Sequence, residues 1–269
     1  MDSSLILIMG ANDVASAAAV RLCQAGYLVA MHEARAPAFA RRGQSFIDAV
    51  FDGICVLEGI TARFSATPAD PQAGEIVLLD GPIDEILLAL APAVLVDARM
   101  RKRAQPETQV GLAPLVMGLG PGFLAGVNVD MVIETAWGDA LGKVIEKGAT
   151  SPLAGEPRPI GGWGRERYVY APVAGMFRTH RAIGNSVEEG EIVAHIGATP
   201  IPAPKTGLLR GLTRDGVEIG KSAKVVEVVP AGTRVFGLGE RPARIAEGVA
   251  EAVRFARPCL PGQCADAKT

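Results

Sequence analysis

A chain of 269 residues, 49% apolar and 21% charged, can build a sizeable core and is too apolar for a disordered polymer. Its 27 Lys and Arg against 29 Asp and Glu leave a net charge of -2, so no global basic field exists for non-specific nucleic-acid binding. Four scattered cysteines (Cys23, Cys55, Cys259, Cys264) and three histidines, with no HExxH or CxxC spacing, speak against a disulfide scaffold and a closed zinc site. The 32 Gly and 19 Pro show no triplet period, which excludes collagen and implies many turns. The start, Met1-Asp2-Ser3-Ser4, lacks the positive charge of a secretory signal. The longest apolar run, Ile86 to Val96, contains Pro92 and falls short of the ~18 residues that cross a bilayer. The sequence is read as a soluble, cytoplasmic protein.

Strands and helices alternate through the first half. Leu5 to Met9 is a continuous apolar run, expected of a strand buried on both faces. Asp13 to Ala25 is an Ala-rich helix stopped at Gly26, and Tyr27 to Met31 is a second apolar strand. The spacing of Phe46 and Val50 predicts a helix over Ala38 to Val50. Ile54 to Ser65, broken at Gly59, reads as a hairpin or edge pair. Glu75 to Leu79 is a strand, Ile83 to Leu90 a helix, Ala93 to Val96 a strand, and Leu115 to Met117 begins another. This order argues a largely parallel α/β sheet, a Rossmann-like domain over residues 1–150.

A Gly/Pro-rich linker follows over 151–165. Beyond it, Ala171-Pro172-Val173-Ala174-Gly175-Met176-Phe177 recurs as Ala203-Pro204-Lys205-Thr206-Gly207-Leu208-Leu209. Two copies are too few for a solenoid, so residues 166–232 are read as a pseudo-symmetric β-sandwich of two four-strand halves. Residues 233–257 are assigned a closing helix, with Ile245, Val249, Ala252 and Val253 on one face, and residues 258–269 a flexible tail.

Two glycine loops could carry chemistry. The segment Gly10-Ala11-Asn12-Asp13-Val14-Ala15-Ser16 stands between strand and helix, where helix N–H groups favour an anion. It lacks the full GxGxxG pattern, with Asn12 and Ala15 in the second and third places. Glu33, 23 residues after Gly10, could accept from a ribose hydroxyl. The alternative is an ordinary capped helix and a solvated Glu. Gly118-Leu119-Gly120-Pro121-Gly122 also follows a strand, as an anion-lining loop or a tight turn. Asp97 is followed by Arg99, Arg101, Lys102 and Arg103, cations suited to phosphate or carboxylate but equally to a solvated face. Arg41-Arg42 is a weaker candidate of the same kind. The three strand-end loops are expected to converge on one cleft.

Other groups read more plainly. His180 and His195 have no partners at metal spacing, and Cys55 reads as a core residue. Cys259 and Cys264 form either a redox pair or part of a loose tail. No nucleophile elbow is present.

Together, the Gly10–Ser16 loop, Arg41-Arg42 with Ser45-Phe46 and Ala49-Val50, Val96-Asp97-Ala98-Arg99-Met100 and Leu119-Gly120-Pro121-Gly122-Phe123 resemble the selenium-dependent molybdenum hydroxylase system proteins, the YqeB family. So do Glu134-Thr135 with Gly138, and Leu141-Gly142 with Val144-Ile145. The resemblance runs from about residue 5 to 255, and departs at Asn12, where the family tends to have Gly. It implies an accessory factor for molybdenum hydroxylases related to xanthine dehydrogenase. The second half is similar to the biotinyl/lipoyl hammerhead. The place of that fold's modifiable lysine falls near Ile196-Gly197, and no Lys lies between Lys147 and Lys205. Covalent biotin or lipoate is therefore not expected.

The expectation is a maturation factor whose cofactor is a nucleotide or molybdopterin-type anion, held by Gly10, Asn12, Asp13, Ser16, Glu33, Asp97, Arg99, Lys102, Gly118, Gly120 and Gly122. Its partners would be a molybdenum hydroxylase or its maturation proteins, with neither nucleic acid nor membrane. An NAD(P)-dependent oxidoreductase and a non-catalytic interaction module are the alternatives. No catalytic residue is assigned, and the oligomeric state stays open, a homo-oligomer included.

Overall fold

The computed structural model describes residues 4–101, 105–153 and 155–256. Lys102, Arg103, Cys259, Cys264 and the tail lie outside them.

The first strand, β1 (Leu5–Met9), is continuously apolar because both its faces are covered. Ile6 and Ile8 face the core under α1 (Asp13–Gln24), and Leu7 and Met9 face a second core on the other side. Asn12 caps α1, its Oδ1 accepting from the N–H groups of Val14 and Ala15 at 3.0 and 3.1 Å. The chain then enters β2 (Leu28–His32).

The helix expected over 38–50 does not form. Only a 3-10 turn at Phe46–Asp48 leads into one helical turn, α2 (Ala49–Asp52). The backbone ahead of it is engaged elsewhere. Ala40 O accepts from Leu212 N–H, and Gly43, with φ +67, accepts from Gly237 N–H. Phe46 and Ile47 are buried, but the segment serves as a strap across the second half of the molecule.

A hairpin follows, β3 (Ile54–Leu57) and β4 (Ile60–Ser65), turning through Glu58 and Gly59, both with positive φ. Next come β5 (Glu75–Leu79), α3 (Ile83–Leu90), β6 (Val94–Asp97) and β7 (Leu115–Leu119). Shorter strands complete this half: β8 (Leu124–Ala125), β9 (Met131–Ile133), β10 (Val144–Ile145) and β11 (Gly148–Ala149), the last paired with β8. Nine strands make one sheet, ordered β10-β9-β7-β6-β1-β2-β5-β4-β3. The edge strands β3 and β10 are antiparallel to their neighbours, and the rest are parallel. From β1 the chain builds outward first to β2 and β5, then from β6 to β7 and β9. The strand order therefore reverses between β1 and β6.

The second half holds two four-stranded antiparallel sheets around a separate core. Its strands are β12 (Tyr168–Tyr170), β13 (Gly175–Arg178), β14 (Ser186–Val187), β15 (Ile192–Ile196), β16 (Thr199–Pro202), β17 (Gly207–Leu212), β18 (Val217–Ile219) and β19 (Lys224–Val229). One sheet runs β12-β19-β17-β14 and the other β16-β15-β13-β18. Exchanging β12–β15 with β16–β19 in order converts one sheet into the other. The repeated Ala-Pro-x-x-Gly segments thus lead into equivalent central strands, β13 and β17.

The last helix, α4 (Glu240–Ala256), returns to the first half and packs on α1. Ile245, Val249, Ala252 and Val253 join the core beneath it, beside the small side chains Ala15, Ala18 and Ala19. No helix among the described residues is long and apolar enough to cross a membrane.

Candidate functional site

Because β1, β6, β7 and β9 are parallel, their carboxyl ends share one edge, and the strand order reverses between β1 and β6, the position at which α/β sheets commonly take ligands. The expected loops meet there. Asn12 Nδ2 donates to Ala98 O at 2.7 Å. A Cβ on Gly10 would stand 3.1 Å from Ala98 O, and its φ of +104 also favours glycine. Gly120, with φ +100, lies against Met100 and against Thr135, just beyond β9.

Many groups expected to meet a ligand are instead engaged by the protein. Glu33 accepts from the N–H groups of Ala11 and Ala34, each at 3.0 Å, so its carboxylate braces the loop rather than awaiting a ribose. Ser16 is fully buried; its Oγ donates to Ala11 O and accepts from Phe46 N–H at 2.9 Å. A Cβ on Gly118 would fall 2.2 Å from the Phe123 ring, so this glycine admits an aromatic side chain. Gly122 O accepts from Asn128 Nδ2. In the Gly10–Ser16 loop, expected to cradle a phosphate, the Ala11, Val14 and Ala15 N–H groups already have acceptors.

Among the described residues of the basic run after β6, Arg99 and Arg101 are also internally paired. Asp97, 1% exposed, accepts from Arg99 Nε at 3.0 Å, Arg101 Nη2 at 3.0 Å and Gln109 Nε2 at 2.7 Å. Glu107 takes Arg99 Nη2 and Arg101 Nη1, both at 2.6 Å. Burial tends to raise the Glu107 carboxyl, but Arg101 and Arg99 outweigh it and hold it down at about 2. Lys102 lies outside the described residues.

A different charged cluster stands over Asp13, in the first turn of α1. Arg41, on the strap after β2, sets Nη1 2.5 Å from Asp13 Oδ2 and Nε 3.3 Å from Glu227 Oε2. Glu227 lies on β19 and is fully buried; its Oε1 also accepts from Arg167 Nε at 3.0 Å and from Arg210 Nη1, on β17, at 3.1 Å. Arg167 further donates to Trp163 O, Gly164 O and the Tyr168 hydroxyl. Arg241, in the first turn of α4, donates Nε to Thr135 O at 2.7 Å.

Electrostatics tie these groups into one unit. Burial pushes the Asp13 carboxyl up, but Arg41, Arg241 and Arg210 together hold it below its ordinary value. Glu227 is likewise driven up by burial and down, on balance, by Arg41, Arg210 and Arg167. Arg41 gains more from Asp13 and Glu227 than burial costs it, so its guanidinium is stabilised. Arg210 and Arg241 differ: burial and the repulsion of Arg41 outweigh their carboxylate partners, and both are held below the ordinary arginine value. Four guanidinium groups here face Asp13 and Glu227. A third carboxylate, Glu134, is held by the N–H groups of Thr135, Ala136 and Ser151 and acts on Arg241 from further off.

Of this cluster, Asp13 in the Gly10–Ser16 loop and Arg41 in the Arg41-Arg42 pair belong to motifs legible in the sequence. Glu227 had a legible signal: one acid inside the apolar strand Val225-Val226-Glu227-Val228-Val229. Arg210, inside Leu208-Leu209-Arg210-Gly211-Leu212, had a similar one.

Fold and site define a mixed α/β protein whose parallel sheet meets the β region at its carboxyl edge, across a cluster of arginines of which Arg167 is buried and Arg41, Arg210 and Arg241 are half-buried. The chain is a homologue of "Uncharacterized protein YqeB" of Escherichia coli (strain K12), 38% identical over 255 residues and 93% of its own length. It spans 47% of that relative's length. No family model matches it. Among solved structures, the product-bound ectoine utilization protein EutE (DoeB) from Ruegeria pomeroyi aligns at 20% identity and TM-score 0.22, over 31% of this chain and 27% of that one. A succinylglutamatedesuccinylase/aspartoacylase from Rhodobacter sphaeroides aligns at 16% identity and TM-score 0.23, over 56% and 62%. Alignments that loose bear on neither fold nor function.

Proposed function

We propose that this chain is an accessory factor in molybdenum hydroxylase maturation, and that it holds a nucleotide or molybdopterin-type anion at the carboxyl edge of its parallel sheet. The first half is read as Rossmann-like and the second as a biotinyl/lipoyl-like hammerhead. Its β15–β16 turn carries Gly197 and Ala198 rather than a modifiable lysine. The observation that carries the anion reading is the convergence of Arg41, Arg167 and Arg210 on only two carboxylates, Asp13 in the first turn after β1 and Glu227. Buried charge is costly unless compensated, and an anionic ligand would supply the compensation. The maturation role rests on the motifs shared with the YqeB family and on the 38% identity to its Escherichia coli namesake.

The NAD(P) alternative draws little support, because Glu33 and the Ala11, Val14 and Ala15 N–H groups are engaged within the chain. Native mass spectrometry of the purified chain should release a nucleotide or pterin phosphate, and immobilised chain should retain a molybdenum hydroxylase or one of its maturation proteins. Release of NAD(P) with no such partner would replace this reading with the oxidoreductase.

A further inference from the structure

The arginine cluster bears on which part of a ligand is gripped, an inference that rests on the anionic-cofactor reading above. We infer that Arg210 and Arg241, with Arg41 beside them, clamp a terminal phosphoryl group, a phosphate monoester dianion, rather than the internal pyrophosphate of a dinucleotide.

Geometry supplies the first support. Arg210 comes from β17 of the β region, Arg241 from α4 and Arg41 from the strap; Arg41 reaches Asp13 and shares Glu227 with Arg210. Arg210 also approaches the start of α4: a Cβ on Gly239 would lie 3.9 Å from its Nη2. Arg210 bonds Glu227 through Nη1, and Arg241 bonds Thr135 O through Nε. A guanidinium carries five N–H donors in a planar fork, a shape that matches phosphate oxygens two at a time.

Charge balance supplies the second. Arg41, Arg167, Arg210 and Arg241 exceed Asp13 and Glu227 by two, or by one when the more distant Glu134 is counted. A phosphate monoester brings about -1.5 to -2 near neutral pH. An internal pyrophosphate brings a similar total but spreads it as about -1 on each of two phosphates, so the discrimination comes from position: its customary seat on the first helix is taken by Glu33 and Asn12. Because Arg210 belongs to the β region and Arg241 to α4, the clamp is complete only while the β region rests on the sheet edge.

The test is a titration of the full chain at pH 8 and constant ionic strength with inorganic phosphate, dimethyl phosphate or chloride, read by the thermal unfolding midpoint. A saturable rise with inorganic phosphate alone is expected. Arg210→Gln and Arg241→Gln should each weaken the apparent affinity by about tenfold or more. No rise beyond that with chloride would overturn the clamp, as would equal responses to the monoanionic diester, or unchanged affinity in both variants. If either variant fails to fold, the wild-type contrast between the two phosphates decides. The two readings fail separately. A dinucleotide other than NAD(P) released by native mass spectrometry, with no response to inorganic phosphate, would overturn the clamp and leave an anionic cofactor. Saturable phosphate binding by a chain that retains neither nucleotide nor pterin would sustain the clamp and count against the cofactor.

Discussion

The guanidinium of Arg41 lies 2.5 Å from the carboxylate of Asp13, joining a loop that follows the second strand to the first turn of the first helix. The same side chain reaches Glu227 at 3.3 Å, so one arginine links the parallel sheet to the β region. Several measurable consequences come from this arrangement.

Glu227→Gln should be severely destabilising. The side chain is fully buried, and its carboxylate is shared by Arg41, Arg167 and Arg210. Removing one partner of a buried ionic network typically costs about 3–5 kcal/mol, because the remaining charges are left uncompensated. Urea unfolding should show that loss; a change below about 1 kcal/mol would mean the cluster is more solvated than its burial implies.

Stability should fall in acid with a contribution from Asp13 and Glu227. Both carboxyls are held below their ordinary values in the folded chain. Their contribution is present in full above the unfolded values of about 4 and is lost as pH falls through the folded values. Unfolding free energies measured from pH 7 down to pH 3 should decline below about pH 4, less steeply in Asp13→Asn. Equal slopes in the two proteins would remove Asp13 from the effect.

Gly248→Ala should loosen the last helix. An added Cβ would stand 1.9 Å from the Gly142 carbonyl oxygen, a backbone atom that cannot swing aside. Overpacking of this kind costs about 1–3 kcal/mol or more. Amide exchange in residues 240–256 should accelerate while the β region keeps its protection; uniform protection throughout would show that the loop at Gly142 yields.

Arg99→Ala should act on stability and spare anion binding. Arg99 braces Asp97 and Glu107, and Arg101 and Gln109 still contact Asp97 without it. Losing charge-assisted hydrogen bonds costs about 1.5–3 kcal/mol, less whatever Arg101 recovers. Denaturant unfolding and the phosphate titration on the same variant separate the two effects. A tenfold loss of phosphate affinity with unchanged stability would return Arg99 to the ligand.

Much of the fold is written locally. The apolar run Leu5–Met9, the alanines after Asp13 and the stops at Gly26 and Gly59 each determine an element through short-range sterics and burial. The 32-residue repeat from Ala171 to Ala203 likewise determines two interchangeable sheets, since equal sequences bury equal faces. Tertiary contacts decided the rest. The spacing of Phe46 and Val50 predicts a helix over 38–50, but the carbonyls of Ala40, Gly43 and Arg41 serve Leu212, Gly237 and Ser45 instead. Helix α4 closes the chain yet belongs to the core of α1, because the alanine face there admits a close neighbour. The glycine loops were legible as turns, but that Glu33, just past the end of β2, takes the Ala11 N–H of the first loop was decided by the tertiary structure. The cluster of Asp13, Arg41, Arg210, Glu227 and Arg241 was decided wholly by the fold. Ion pairing between distant segments leaves no periodicity in a sequence, beyond a lone charge inside an apolar strand.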